Sequence, residues 1–291
     1  MRWAILVLAL TGACAQAPPP EAPPWAAYQN PQRVVIEGYD GDAMEPFLSR
    51  DGEFLFFNNS NEPGEQTDLH WAARIDDLTF RYRGPAQGVN SAALDGVATM
   101  SADGRLCFIS PRSYEETMST VFCGDWDGGA VSSAALQRDV SVRVRGRVVF
   151  DVEISADGGA LIVADGAFRG GAVPASADLR FAAWRDGAFH LSPENEATFA
   201  ALNTEALEYA AALSVDERTI AFTRAEGRAP FIRTSIWIAR RDAPEAPFGA
   251  PVRIAAIAGG VVEGPTFSPD DDAIYYHRKV DDMFSIWRVS R

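Results

Sequence analysis

The chain has 291 residues, of which 47% are hydrophobic, and it carries a formal net charge of −14. This length and apolar content suit a single domain with a substantial core. The acidic balance argues against nucleic acid and anionic lipid headgroups as partners, because both repel a negative surface.

The first 17 residues are typical of a secretory signal. Arg2 precedes an apolar run, and the segment ends in Thr-Gly-Ala-Cys14. Two kinds of processing fit this end. A lipoprotein signal is cut before Cys14, whose thiol then takes the lipid, whereas an ordinary signal is cut at the small-x-small site Ala13-Cys-Ala15. Both predict an exported protein.

A proline-rich stretch follows the signal, and residues 18–32 are predicted to form an extended tether. A tether is useful to a domain anchored by lipid, so it favours lipid attachment at Cys14. Ala15 rather than Asp follows Cys14 and resembles lipoproteins sorted to the outer membrane. We therefore expect a periplasmic domain that contacts the membrane through its lipid only.

Residues 33–291 repeat one pattern five times. Each copy has a serine, an aspartate two places later, and apolar residues six and eight places after the serine; the serines are Ser49, Ser101, Ser155, Ser214 and Ser268. Alternating apolar residues after a Ser-x-Asp-Gly turn predict a β-hairpin with a G1 bulge. Glu217 and Asp271 replace the turn glycine in two copies. Because Asp tolerates positive φ better than Glu, strain is predicted in the fourth turn, at Glu217.

A second element with a tryptophan in or near it follows each hairpin and is predicted to be a third strand. Four-stranded sheets repeated around an axis form a β-propeller. The prediction is an all-β propeller of five blades, with six as the competing number if the longer third repeat hides a degenerate blade. Arg33–Glu37, a strand without a sheet of its own, is expected to complete the last blade and close the ring.

The hairpin sequence Ser-Pro/Ala-Asp-Gly, followed by Asp/Ser-Ile-x-Trp, resembles the WD-like repeat of TolB-type propellers. The resemblance covers about Glu45 to Arg291. It implies a periplasmic interaction platform, although TolB-type propellers usually have six blades.

Cys107 and Cys123 fall on neighbouring predicted strands of the second repeat. Export makes a disulfide between them chemically possible. Two buried thiols are the alternative.

Acidic residues stand near the start of each predicted innermost strand, four to six residues before the turn serine; they are Glu45, Asp95, Asp151, Glu208 and Glu263. Innermost strands line the channel of a propeller, so these acids are expected to converge at one mouth and bind a ligand. Converging carboxylates raise one another's pKa or recruit calcium. In the alternative, each acid caps a loop or faces water on its own.

Metal and cofactor signatures are weak. His70, His190 and His277 occupy three different points of the repeat, so we expect no zinc site. The sequence has no Gly-x-Ser-x-Gly elbow, phosphate-binding loop or dinucleotide fingerprint. No cofactor is therefore predicted beyond the possible calcium.

The sequence favours a non-catalytic propeller, monomeric, that binds an envelope protein or a glycan. The alternative is a glycoside hydrolase that uses two of the acids as acid and base. The aromatic residues expected to stack on its sugar, unless they belong to the core, are Phe231, Trp237, Tyr39 and Tyr82. The acids recur at repeated positions, whereas enzymes built on repeats usually break the repeat at the site of chemistry. This regularity favours the binding function and predicts no catalytic residue.

Overall fold

Strands dominate the structure, a computed structural model that describes residues 23–61, 66–192, 195–227 and 231–291. The predicted signal sequence and the predicted lipid attachment at Cys14 lie outside these residues. The first described elements are a 3-10 turn at Pro24–Ala26 and strands β1 (Gln29–Arg33) and β2 (Val35–Glu37).

Five four-stranded antiparallel blades follow one another around a central channel. From the innermost strand outward, blade 1 contains β3 (Met44–Leu48), β4 (Phe54–Asn58), β5 (Leu69–Arg74) and β6 (Thr79–Pro85), and blade 2 contains β7 (Gly96–Met100), β8 (Arg105–Ile109), β9 (Val121–Trp126) and β10 (Val131–Leu136). Blade 3 contains β11 (Arg147–Ile154), β12 (Ala160–Ala167), β13 (Ser176–Arg185) and β14 (Ala188–Leu191). Blade 4 contains β15 (Leu207–Leu213), β16 (Thr219–Glu226), β17 (Arg233–Arg240) and β18 (Val252–Arg253), and blade 5 contains β19 (Val262–Phe267), β20 (Ala273–Val280), β21 (Met283–Ser290) and β1. The predicted five-bladed propeller is confirmed.

Helical structure in the described ranges is confined to short pieces. These are α1 (Tyr114–Thr117), α2 (Asn195–Thr198) and two 3-10 turns, Pro24–Ala26 and Arg138–Val140. None of the described helices is long and apolar enough to span a membrane.

The ring closes as predicted, with an N-terminal strand completing the last blade, but the strand is not the expected one. Gln29–Arg33 pairs antiparallel with β21, whereas Val35–Glu37 pairs parallel with β6 at the outer edge of blade 1. The side chains of Gln29–Arg33 gave no sign of a strand, because all of them are exposed and backbone hydrogen bonds hold this strand at the outer edge of the blade.

The folded domain begins earlier than the predicted boundary at Arg33. Ala26 and Tyr28 are 2% and 4% exposed and belong to the core between blades 4 and 5. The Tyr28 hydroxyl also donates a hydrogen bond of 2.8 Å to the carbonyl of Asp271. The end of the stretch predicted as a tether is therefore part of the packed domain.

The five turns have the predicted chemistry. Each serine hydroxyl donates to the carboxylate two residues later, as Ser155 does to Asp157 at 2.6 Å. The residue after that aspartate is left-handed in every copy, including Glu217 at φ 57° and Asp271 at φ 59°. The strain predicted at Glu217 has its geometric basis here.

Apolar residues between adjacent blades form the core. The described residues give five clusters, one for each blade-to-blade interface. Fully buried aromatic side chains such as Phe56, Phe108, Phe222 and Tyr276 fill these interfaces, and burying each one stabilises the fold by about 1.5–3 kcal/mol. The last cluster joins blade 5 to blade 1, so the ring is closed by packing as well as by β1.

Cys107 and Cys123 lie directly opposite each other on β8 and β9. Their sulfur atoms are 2.07 Å apart, which is a disulfide. Of the two possibilities left by the sequence, the structure contains the bonded one.

Candidate active site

A β-bulge interrupts the innermost strand of every blade close to where that strand begins. The pairing register shifts between Met44 and Phe47 in blade 1 and at the matching place in the other four blades. Glu45, Val97 and Ala210 have φ of 46°, 54° and 48° there. This conformation costs a non-glycine residue about 1–2 kcal/mol. Bulges re-aim side chains, and strained backbone clusters at functional sites.

The bulges surround a cavity of about 390 Å³ at one mouth of the channel. Glu45, Asp151 and Glu263 line it, each from the innermost strand of a different blade. The cavity has the size of a small-molecule site, which typically measures about 300–1,000 Å³. Farther along the channel the free space shrinks to about 20 Å³. The mouth is therefore the part of the channel with room for a ligand.

Glu263 is held by two neighbours. The Tyr209 hydroxyl donates to Glu263 Oε1 at 2.6 Å, and His277 Nε2 lies 3.3 Å from Glu263 Oε2. The other imidazole nitrogen, Nδ1, accepts a hydrogen bond of 3.0 Å from the backbone N–H of Glu45. Asn61 donates from its amide to Glu45 Oε1 at 3.1 Å. Blades 1, 4 and 5 thus meet in one hydrogen-bonded group.

The environments of Asp151 and Glu263 move their pKa values in opposite directions. Burial and then the neighbouring charges of Glu45 and Glu153 raise the pKa of Asp151 well above its ordinary value. Burial also acts to raise the pKa of Glu263, but the hydrogen bond and charge of His277 and the Tyr209 hydroxyl outweigh it and lower that pKa. Carboxyls with separated pKa values are suited to acid and base work at one site.

Glu45 and His277 influence each other. Burial, and the charge of Glu263, raise the pKa of Glu45 against the opposing effect of His277. Burial lowers the pKa of His277, but the two carboxylates outweigh it, so the net shift is upward. Protonating Nδ1 breaks the hydrogen bond that it accepts from the Glu45 N–H. The two carboxylates favour a positive charge on His277, but that charge forms only with the loss of this backbone hydrogen bond.

The repeat pattern gave no reason to associate His277 with the acids, yet the structure places it beside Glu45 and Glu263. Ligand atoms of Glu45, Glu263 and His277 lie within 4.8 Å of one another, the spacing of a possible metal site. Both imidazole nitrogens, however, already face hydrogen-bonding partners. A metal could bind His277 only by displacing one of them, so the geometry fits an organising hydrogen-bonded histidine better than a metal ligand.

Asp95 and Glu208 do not reach the cavity, which corrects their predicted placement at the channel mouth. Asp95 is fully buried and takes hydrogen bonds from the backbone and hydroxyl of Ser91 and from Arg112. Glu208 is also fully buried, and it binds Arg224 at 2.7 Å. A buried carboxylate needs such partners, so these two acids hold loops, as the alternative interpretation proposed.

A buried ion pair closes the channel beyond the cavity. The Arg50 guanidinium extends from the turn of blade 1 to Glu153 of blade 3, with Nη2 and Oε1 2.7 Å apart. Glu153 also accepts hydrogen bonds from the Thr99 hydroxyl of blade 2 at 2.6 Å and from the Leu213 N–H of blade 4 at 3.0 Å. One carboxylate therefore ties four blades together.

Sequence reasoning missed several residues of this site. The aromatic residues proposed for stacking on sugars, Phe231, Trp237, Tyr39 and Tyr82, are absent from the described cavity lining, which contains Phe150, Phe168 and Tyr209 instead. Tyr209 could have been found, because it occupies the same place before its turn serine as Glu263 does before Ser268.

Comparison with known proteins shows the fold. Neither a scan of protein-family models nor a search of curated proteins gives a match. Among solved structures, a complex of BT0996 with RGII matches with a TM-score of 0.63 at 9% identity, over 91% of this protein and 92% of that one. A family 117 glycoside hydrolase from Zobellia galactanivorans (TM-score 0.54, 12% identity, 91% of each protein) and an endo-arabinase from Bacteroides thetaiotaomicron (0.54, 10%, 89% and 96%) are also similar.

Of the predicted TolB-type propeller, the solved structures support the β-propeller fold. The glycoside hydrolase propellers cover about nine-tenths of this protein.

The preference for a non-catalytic binding propeller is therefore corrected. Solved structures of this fold that match over nearly the whole length are mostly glycoside hydrolases. In this protein, moreover, three carboxyls meet at one open cavity rather than pointing separately into water. The findings support the carbohydrate-active alternative.

Proposed function

We propose that this protein is a glycoside hydrolase whose active site is the cavity at the channel mouth. The observation that carries the proposal is the meeting of Asp151 and Glu263 in one cavity, with pKa values moved apart by their surroundings. Glycosidic bond cleavage uses such a pair, one carboxyl to protonate the leaving oxygen and one carboxylate on the sugar side.

Asp151 has the properties of the general acid. It is 5% exposed, and the upward shift of its pKa favours the protonated form that a general acid needs. Glu263 has the properties of the carboxylate partner, since Tyr209 and His277 stabilise its charged form. Glu45 is the third carboxyl of the cavity, and its charge helps to keep Asp151 protonated.

The test is sugar release by the purified protein from a panel of polysaccharides and aryl glycosides. We expect Asp151→Asn and Glu263→Gln to lower kcat by about 10²–10⁴-fold, with sugar affinity retained. Glu53→Gln, which changes an exposed acid on a turn outside the cavity, is the matched control and should keep full activity.

The dependence of the rate on the leaving group distinguishes the role of the general acid, Asp151, from that of its carboxylate partner, Glu263. A dinitrophenyl leaving group needs no protonation, so the Asp151→Asn variant should recover much of its rate on dinitrophenyl glycosides, while Glu263→Gln should not. Equal rates for the wild type and both variants, or no sugar release from any substrate, would contradict the proposal.

We also propose that the protein works outside the cytoplasm, held by lipid on Cys14. The support is the signal-like start of the sequence and the cysteine at its end. Labelling of the wild type, but not of a Cys14→Ala variant, with radioactive palmitate in the source bacterium tests this proposal. Equal labelling of the two would contradict it.

A further inference from the structure

The wall of the cavity around the carboxyls is built mainly from apolar side chains. Leu94 and Ile109 contribute from blade 2, and Val148 and Phe150 from blade 3. Among the described lining residues, only Asn61, Thr120 and the Tyr209 hydroxyl add neutral polar groups to the three carboxyls. A sugar bound here finds few hydrogen-bonding partners away from the carboxyls.

A hairpin overhang in blade 3 extends this apolar wall. Strands β12 and β13 pair up to Ala167 and Ser176, and the loop between them lies over the cavity. Phe168, Val173 and Pro174 from this loop line it, and Val173 is 46% exposed. The loop places an aliphatic surface where the outer part of a bound sugar would lie.

The described lining also contains no lysine, arginine or histidine. A uronate, sulfate or phosphate group would therefore enter beside three carboxyls without a counter-charge from these residues. Like charges brought together at short range are strongly unfavourable in a partly buried site. The same three carboxyls accept hydrogen bonds from the hydroxyls of a neutral sugar.

We infer that the substrate is a neutral glycoside of a 6-deoxy sugar, whose methyl group packs against the Val173 wall. This inference rests on the proposed hydrolase function and specifies the substrate of the same site. A methyl group gains from burial against aliphatic side chains. A hydroxymethyl group loses water hydrogen bonds there that the wall does not replace, and a carboxylate also meets the charges of the cavity.

The test uses aryl glycosides that differ only in the group on C5. The gluco, galacto and manno series are each prepared with hydrogen, methyl, hydroxymethyl or carboxylate at this position. Both kcat/KM and the dissociation constant are measured. In the series that is turned over, we expect the methyl compound to exceed the hydrogen and hydroxymethyl compounds by about 10–100-fold, with the carboxylate weakest.

A variant tests the placement of the wall. Val173→Arg puts a cation at the edge of the cavity and should improve binding of the carboxylate compound at least about tenfold while weakening the methyl preference. Val35→Arg is the matched control, because Val35 is 53% exposed on β2 at the outer edge of blade 1. It should change neither the affinity for the carboxylate compound nor the preference for the methyl compound.

The outcomes test the proposed substrate class and the proposed hydrolase function separately. Selective binding of the methyl compound without turnover supports the substrate class and overturns the hydrolase function. Turnover with equal or greater preference for the hydroxymethyl or carboxylate compound overturns the substrate class alone. If Val173→Arg leaves the dissociation constants and kcat/KM values of the series unchanged, the placement of the methyl group is overturned. Failure to bind any compound overturns both proposals.

Discussion

Arg50 offers the sharpest test of how this ring is held together. Its guanidinium donates 2.7 Å hydrogen bonds to Glu153 Oε1 and to the carbonyl of Ile154, and a 3.1 Å bond to the carbonyl of Leu213. The side chains of Arg50 and Glu153 are only 8% and 4% exposed. Replacing Arg50 by Met leaves the Glu153 carboxylate buried without its cation.

The expected cost follows from that burial. Removing one partner of a buried ion pair destabilises a protein by about 3–5 kcal/mol. With a urea m-value of about 3 kcal/mol/M for a domain of this size, the unfolding midpoint should fall by about 1–2 M. The measurement is urea unfolding followed by far-UV circular dichroism.

Two comparisons make the result interpretable. Arg74→Met breaks an exposed ion pair with Asp77, whose side chains are 39% and 56% exposed, and should cost about 0–1 kcal/mol. Arg50→Met/Glu153→Gln removes the stranded charge and should recover part of the stability lost in Arg50→Met. The reasoning would be refuted if Arg50→Met cost no more than Arg74→Met, or if the double variant were less stable than Arg50→Met.

Three further substitutions follow from the geometry. Removing the disulfide as Cys107→Ala/Cys123→Ala reopens a loop with a sequence separation of 16 and should lower the free energy of unfolding by about 3 kcal/mol, measured in urea beside the wild type; a loss below about 1 kcal/mol would contradict this. Asp271→Gly should raise the melting temperature at pH 7.5, because it removes a left-handed non-glycine and a carboxyl whose pKa burial raises to about 6. The ionised form is the disfavoured one, so the charge part of this gain is present above pH 6 and fades as the pH falls towards 4; a gain that grew on acidification would contradict the assignment. Gly264→Ala should weaken sugar binding, because the new Cβ lies 2.7 Å from Glu45 Oε2 and 3.0 Å from His277 Nδ1, and should also lower the melting temperature, because Gly264 has a φ of 63°. Isothermal titration with the best glycoside checks the binding and thermal unfolding checks the stability; unchanged binding would mean that Glu45 moves freely.

The repeat itself could be read from the sequence because its signal is local. Each turn needs a serine, an aspartate two residues later and a left-handed residue after it, and these requirements are written in adjacent positions. The choice of closing strand could not be read in this way. The edge strand Gln29–Arg33 is held through its backbone, so its side chains carry little information about the pairing.

A difference of one or two positions along the innermost strand goes with whether an acid reaches the cavity. Asp95 and Glu208 precede their turn serines by six residues, and both are buried against arginines. Glu45 and Asp151 precede theirs by four residues and Glu263 by five, and all three reach the cavity. Successive residues of a strand point to opposite faces, so Glu263, one place nearer its serine than Glu208, lies on the opposite face. Glu45 lies inside the bulge between Met44 and Phe47, and the register shift of blade 3 ends at Asp151.

The unequal length of the third repeat carries functional information. The regular positions of the acids suggested that the repeat has no break at a site of chemistry. The extra length, however, lies partly in the overhanging hairpin of β12 and β13, whose loop supplies Phe168 and Val173 to the cavity. The repeat is therefore broken beside the carboxyls. Blade 3 supplies Asp151 from a regular position and Phe168 and Val173 from the added loop, so we expect the proposed chemistry and selectivity to come from different parts of the repeat.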